Sequence, residues 1–193
     1  MSIFDLYLKL GIDHIADING YDHILFILTL TIVYPIKFWK KLLILITAFT
    51  VGHSITLVLA SLNIIKISTA WIEFLIPVTI FLTALVNVLQ KSDKFVNSSH
   101  RLKYSAALFF GLIHGLGFSN YLRAMISGED SLILPLLSFN IGIELGQILI
   151  VLIVMGLSLL IVDIMGVKRR DWNLLISGAA LGISLILALE RIP

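Results

Sequence analysis

Residues 132–162 form a run of 31 residues whose single ionisable side chain is Glu144. As an α-helix it would measure ~46 Å at 1.5 Å per residue, whereas the hydrocarbon core of a bilayer is ~30 Å thick. A run of this length and apolarity reads as a membrane crossing that tilts, kinks or starts outside the bilayer, with Pro135 as a candidate start. Further apolar runs lie at 41–63, 70–90, 104–126 and 172–190, with a shorter one at 22–35. Composition agrees. Hydrophobic residues make up 59% and charged residues 13% of the chain, against roughly 45–50% and about 25% in soluble domains. The mean hydropathy is +1.03. The expected fold is therefore an all-α integral membrane protein, a bundle of six transmembrane helices forming one polytopic domain over 1–193. Residues 1–19 are amphipathic but too short and charged to span, which predicts an interfacial or re-entrant helix.

Lysine and arginine placement predicts the orientation, because cytoplasmic loops carry the excess of these residues. Lys37, Lys40 and Lys41, then Lys91, Lys94, Arg101 and Lys103, then Lys168, Arg169 and Arg170 fall in alternate loops. The other loops and termini hold only Lys9, Lys66, Arg123 and Arg191. Six spans with both termini outside fit this pattern. The acids Asp13, Asp17, Asp22, Glu129 and Asp130 then face the exterior.

Other classes find little support. The chain has no cysteine, so a disulfide framework and a thiolate metal site are excluded. The basic residues sit in short groups between apolar runs and do not suggest nucleic-acid binding. The N-terminus lacks the basic start and apolar core of a signal peptide. No repeat of 20–50 residues is visible.

Several polar residues fall where a bilayer excludes them. An ionised group near the bilayer centre costs several kcal/mol, and such residues face a bundle interior or a water-filled cavity. His23, His53, His114 and Glu144 lie on different runs, with Asp22 and Glu73 near the outer ends of two. Imidazole nitrogen with carboxylate oxygen suits a divalent transition metal such as nickel, cobalt or zinc. Asn140, Glu144 and Gln147 stand at i, i+4 and i+7, which makes one polar stripe. Thr50 and Ser54 flank His53 and would support it from behind. Plainer readings stand beside these. A buried histidine can simply bond a carbonyl, Asp22 and Glu73 can be interface carboxylates, and Gly111-x-x-x-Gly115 and Gly142-x-x-x-Gly146 are small faces that let helices approach.

Five stretches carry a resemblance: Gly11-x-x-His14; Gly20-x-Asp22-His23-x-Leu25-Phe26; Phe49-Thr50-x-x-His53-Ser54-x-Thr56-Leu57; Phe110-Gly111-Leu112-x-His114-Gly115-x-Gly117-Phe118; and Phe139-Asn140-x-Gly142-x-Glu144-x-Gly146-Gln147. Together and in this order they resemble the HupE/UreJ family of small bacterial membrane proteins. The resemblance implies nickel or cobalt handling as a secondary permease. It also adds His14 to the candidate ligands His23, His53, His114, Glu144 and Asp22.

Three functions follow as alternatives. The first is a metal-ion permease whose vestibule is lined by Asp13, Asp22 and Glu73. The second is an intramembrane metal-dependent hydrolase using Glu144 as base, with Ser54 as a further catalytic candidate. The third is a non-catalytic subunit whose polar cluster only fixes packing. The partners expected are the metal ion and the bilayer, with a second copy or an accessory membrane subunit compatible with either.

Overall fold

A computed structural model describes residues 2–90, 100–126 and 131–193. Of the polar loop expected at 91–103, residues 91–99 lie outside the described residues, as do the turn Gly128-Glu129-Asp130 and the His100 side chain, while residues 100–103 instead begin a helix. Among the described residues there are eight α-helices and no strand. They are α1 (Ile3–Ile15), α2 (Asp22–Thr31), α3 (Trp39–Ser61), α4 (Thr69–Leu89), α5 (His100–Gly117), α6 (Ser119–Ile126), α7 (Ile133–Ser158) and α8 (Arg169–Glu190). A 3₁₀ turn, Ile36–Phe38, leads into α3, and a π-helical segment, Leu159–Ile164, prolongs α7.

Four helical segments among the described residues are long and apolar enough to cross a bilayer: Ile36–Ser61, Thr69–Leu89, Ile133–Ile164 and Arg169–Glu190. The long run begins at Ile133, so Pro135 sits within its first turn, where a missing N–H is tolerated. The outer faces of these helices carry Ile44, Val51, Ile55, Leu145, Leu149 and Leu152, all exposed. An apolar surface of this extent suits lipid rather than water.

Of the other two expected crossings, one is divided and the other, at 22–35, holds only the ten-residue helix α2. The run at 104–126 is divided at Phe118, just after the glycine cluster, into α5 and α6. The Ser119 hydroxyl donates to the Leu116 carbonyl at 2.8 Å and takes up an acceptor exposed near the break. Nearer the N-terminus, the turn at 16–21 separates α1 from α2. There the Asp17 carboxylate accepts the Asn19 N–H at 2.9 Å, a local turn that competes with helix.

The helices pack chiefly as three pairs: α3 with α5, α1 with α7, and α4 with α8. Glycines set the first two. A methyl group on Gly52 would collide with the Leu108 carbonyl, and one on Gly111 with the Phe49 carbonyl. In the α1–α7 pair, Gly11 meets the Phe139 carbonyl and Gly142 meets the Leu8 carbonyl. Backbones approach this closely only where no side chain intervenes. Both pairs run parallel: Gly111 then Gly115 meet Phe49 then His53, while Leu8 then Ile12 meet Gly142 then Gly146.

The α4–α8 pair is antiparallel and is pinned at one end by polar groups. Arg170 donates to the carbonyls of Asn87 at 3.3 Å and Val88 at 2.8 Å, and to that of Gln90. These carbonyls belong to the end of α4, which has no helical donors left to satisfy them. Asn173 donates to the Asn87 carbonyl at 3.1 Å, and the Asn87 amide donates to the Thr29 carbonyl at 2.7 Å. Arg170→Gln is expected to lower stability by about 2–3 kcal/mol, since hydrogen bonds from a charged donor contribute about 1.5–3 kcal/mol each and glutamine retains part of the set. Thermal unfolding in detergent reads it, and an unchanged midpoint would show that the cap contributes nothing.

Candidate metal centre

Four helices deliver one imidazole each to a common place. His14 comes from the last turn of α1 and His23 from the first turn of α2, so the break between those helices is what brings them side by side. His53 comes from the middle of α3 and His114 from the end of α5. Ring centroids lie 4.6 Å apart for His14 and His23, 5.2 Å for His23 and His114, 5.7 Å for His23 and His53, and 5.9 Å for His14 and His53. Phe26, Phe49, Phe118 and Phe139 wall the cluster. The close α3–α5 contact places the His53 backbone against Gly111 and Gly115, so the glycines set the spacing of His53 and His114.

The cluster is buried: His23 is 6% exposed, His114 1% and His53 0%. Yet His14 Nε2, His23 Nε2, both nitrogens of His53 and His114 Nδ1 have no hydrogen-bond partner. An unpaired buried polar atom costs about 1–3 kcal/mol, and here five gather in one place. As the rings stand, no three described His, Asp or Glu groups converge on a single coordination point. Joint ligation therefore requires the imidazoles to rotate toward a common centre.

His114 has one partner, which sequence reading missed. Its Nε2 lies 2.9 Å from Thr79 Oγ1, and that hydroxyl donates to the Ile76 carbonyl at 2.7 Å. The hydroxyl has one proton, so His114 donates from Nε2 and its Nδ1 keeps the lone pair a metal needs. This tautomer is assigned from the network. A threonine in an apolar helix usually bonds its own backbone, and nothing in the sequence says that Thr79 also meets a histidine from α5. Thr79→Val is expected to lower metal affinity about 10–100-fold, the usual effect of removing a group that orients a ligand. Titration calorimetry checks it, and Thr79→Ser should restore most of the loss.

A cavity of about 320 Å³ opens beside the cluster, lined by His14, His23 and His114 together with Asp17, Asp22 and Glu73. Arg191 also lines it and holds Asp22 at 2.9 Å. Asp13, expected in this vestibule, instead pairs with Lys9 at 2.8 Å on the exposed face of α1.

Glu144 stands apart from the imidazoles. Its carboxylate accepts the Thr47 hydroxyl at 2.7 Å, and it is not among the cavity-lining residues. The rest of its stripe forms the same seam between α3 and α7. Ser54 donates to Asn140 Oδ1 at 2.6 Å, and Thr50 donates to Gln147 Oε1 at 2.8 Å. Thr50, Ser54, Asn140 and Gln147 therefore join two helices rather than orient the histidines. Adjacent positions point about 100° apart on a helix, which is why Ser54 turns to α7 while His53 faces the cluster.

The fold and site define a helical membrane protein with buried histidines that carry unpartnered ring nitrogens at a break between helices. The chain belongs to the HupE/UreJ family: the family model described as HupE / UreJ protein matches residues 1–190. No curated protein and no solved structure matched it.

Proposed function

We propose that this protein is a permease for a divalent transition-metal ion of the nickel or cobalt kind, with zinc the nearest chemical alternative. The observation that carries the reading is the set of five unpartnered imidazole nitrogens on His14, His23, His53 and His114. Imidazole donors without thiolate suit these ions, and membership of the HupE/UreJ family points the same way. The chain crosses the inner membrane of a bacterium six times with both termini outside. In this reading α1 with α2, and α5 with α6, each make one interrupted crossing. Asp17, Asp22 and Glu73 draw the hydrated cation into the cavity. The histidines then replace its water, each coordinating as the neutral imidazole.

The hydrolase alternative has less support. Ser54 is committed to Asn140 and Glu144 accepts from Thr47, so neither presents a free group at the histidine cluster. The purified protein in liposomes is expected to take up radioactive nickel at least tenfold faster than a His53→Ala/His114→Ala double variant. Equal uptake by the two would overturn the proposal.

A further inference from the structure

We propose that the chain is an inverted repeat of two units, α1–α4 and α5–α8, and that the cation leaves by a second mouth which the second unit builds at the opposite end of the bundle. The inference rests on the permease reading for its cargo but on separate observations for its geometry.

The units share a sequence signature. Leu8-x-x-Gly11-x-x-His14 on α1 matches Leu108-x-x-Gly111-x-x-His114 on α5. Phe49-Thr50-Val51-Gly52-His53-Ser54 on α3 matches Phe139-Asn140-Ile141-Gly142-Ile143-Glu144 on α7, with Phe and Gly kept and a polar residue kept at two further places. The contacts repeat as well. Gly11 meets the Phe139 carbonyl as Gly111 meets that of Phe49, and Gly142 meets the Leu8 carbonyl as Gly52 meets that of Leu108. Each unit thus lends its G-x-x-H helix to the other unit's F-x-x-G helix. Both units interrupt their first crossing just after that histidine, at 16–21 and at Phe118.

The units point in opposite directions. In the seam between α3 and α7, Ser54 meets Asn140 whereas Thr47 meets Glu144, so these helices are antiparallel. Because α1 is parallel to α7 and α5 to α3, α1 opposes α5. The α4–α8 pair is antiparallel too. Inverted repeats with interrupted helices place their cargo at the interface between the halves, and access alternates when the halves exchange conformations. His14 and His114, the equivalent residues, both stand beside His23 at that interface. The present cavity lies against the first turns of α4, where Glu73 and Ile76 line it. Its counterpart opens against the first turns of α8, around Ile176 and around Asn173, which is now buried where its equivalent Glu73 is exposed.

The chain has no cysteine, so single cysteines report access without background. In sealed vesicles, Ile76→Cys should react with a membrane-impermeant maleimide from the outer side and Ile176→Cys from the inner side. Nickel should change the two rates in opposite directions, each at least threefold. Leu175→Cys, on the exposed face of α8, should stay unlabelled, and Ser177→Cys replaces Ile176→Cys if the latter does not fold. Nickel affinity is measured on the same variants. Binding without inner labelling, or two rates that move together, overturns the inverted exchange and leaves the metal reading intact. Opposite-sided labelling in a protein that binds no nickel upholds the repeat and removes the metal reading.

Discussion

Replacing His53 or His114 by alanine is expected to weaken nickel binding at least 100-fold, as read by titration calorimetry on folded protein in detergent. Groups that only orient a ligand already contribute about 10–100-fold, so a donor itself should exceed that range. The same titration of Glu144→Gln is expected to change affinity less than threefold, because Glu144 lies in the α3–α7 seam against Thr47. The contrast separates two ligand sets. A site completed by Glu144 would lose affinity in all three variants, and a cluster that only packs would lose it in none. Alanine also leaves a void, so His114→Gln serves as a variant of closer volume.

The second large effect concerns the glycine seams. Gly52→Ala and Gly111→Ala should each destabilise the protein by about 3 kcal/mol or more. Overpacking typically costs 1–3 kcal/mol when side chains can yield, and here the added methyl meets carbonyl oxygens of the facing helix backbone. Gly178→Ala and Gly182→Ala act as internal controls, since a methyl there has nothing within 4 Å. They should be neutral or stabilising by about 0.5–1 kcal/mol, the gain of alanine over glycine within a helix. Denaturation in detergent would show two groups of variants. A uniform response at all four glycines would mean that the α3–α5 approach is not what holds the histidines in place.

The apolar runs made the helical membrane fold readable, because a period is not needed where nearly every residue is apolar. The histidines were readable for the complementary reason: a titratable group in such a run needs a purpose. The partition of the polar residues was not readable. Asn140, Glu144 and Gln147 share a stripe, and spacing tells that they face protein or water but not which helix they meet. Thr50 and Ser54 next to His53 looked like its support, whereas their hydroxyls cross to α7. The break at Phe118 was also hidden, since an apolar run carries no mark of a helix that stops and restarts within it, whereas the separation of residues 1–19 from the run at 22–35 was legible. His14 entered only through the resemblance: residues 1–19 read as an interfacial or re-entrant helix, and the turn after α1 is what brings that imidazole to His23.

X-ray absorption at the nickel edge on the loaded protein tests the central claim most directly. The account predicts three or four imidazole nitrogens around the metal, with their outer-ring scattering lost stepwise in His14→Ala, His23→Ala, His53→Ala and His114→Ala. A nickel ion surrounded by oxygen alone, with a spectrum indifferent to those four substitutions, would contradict it.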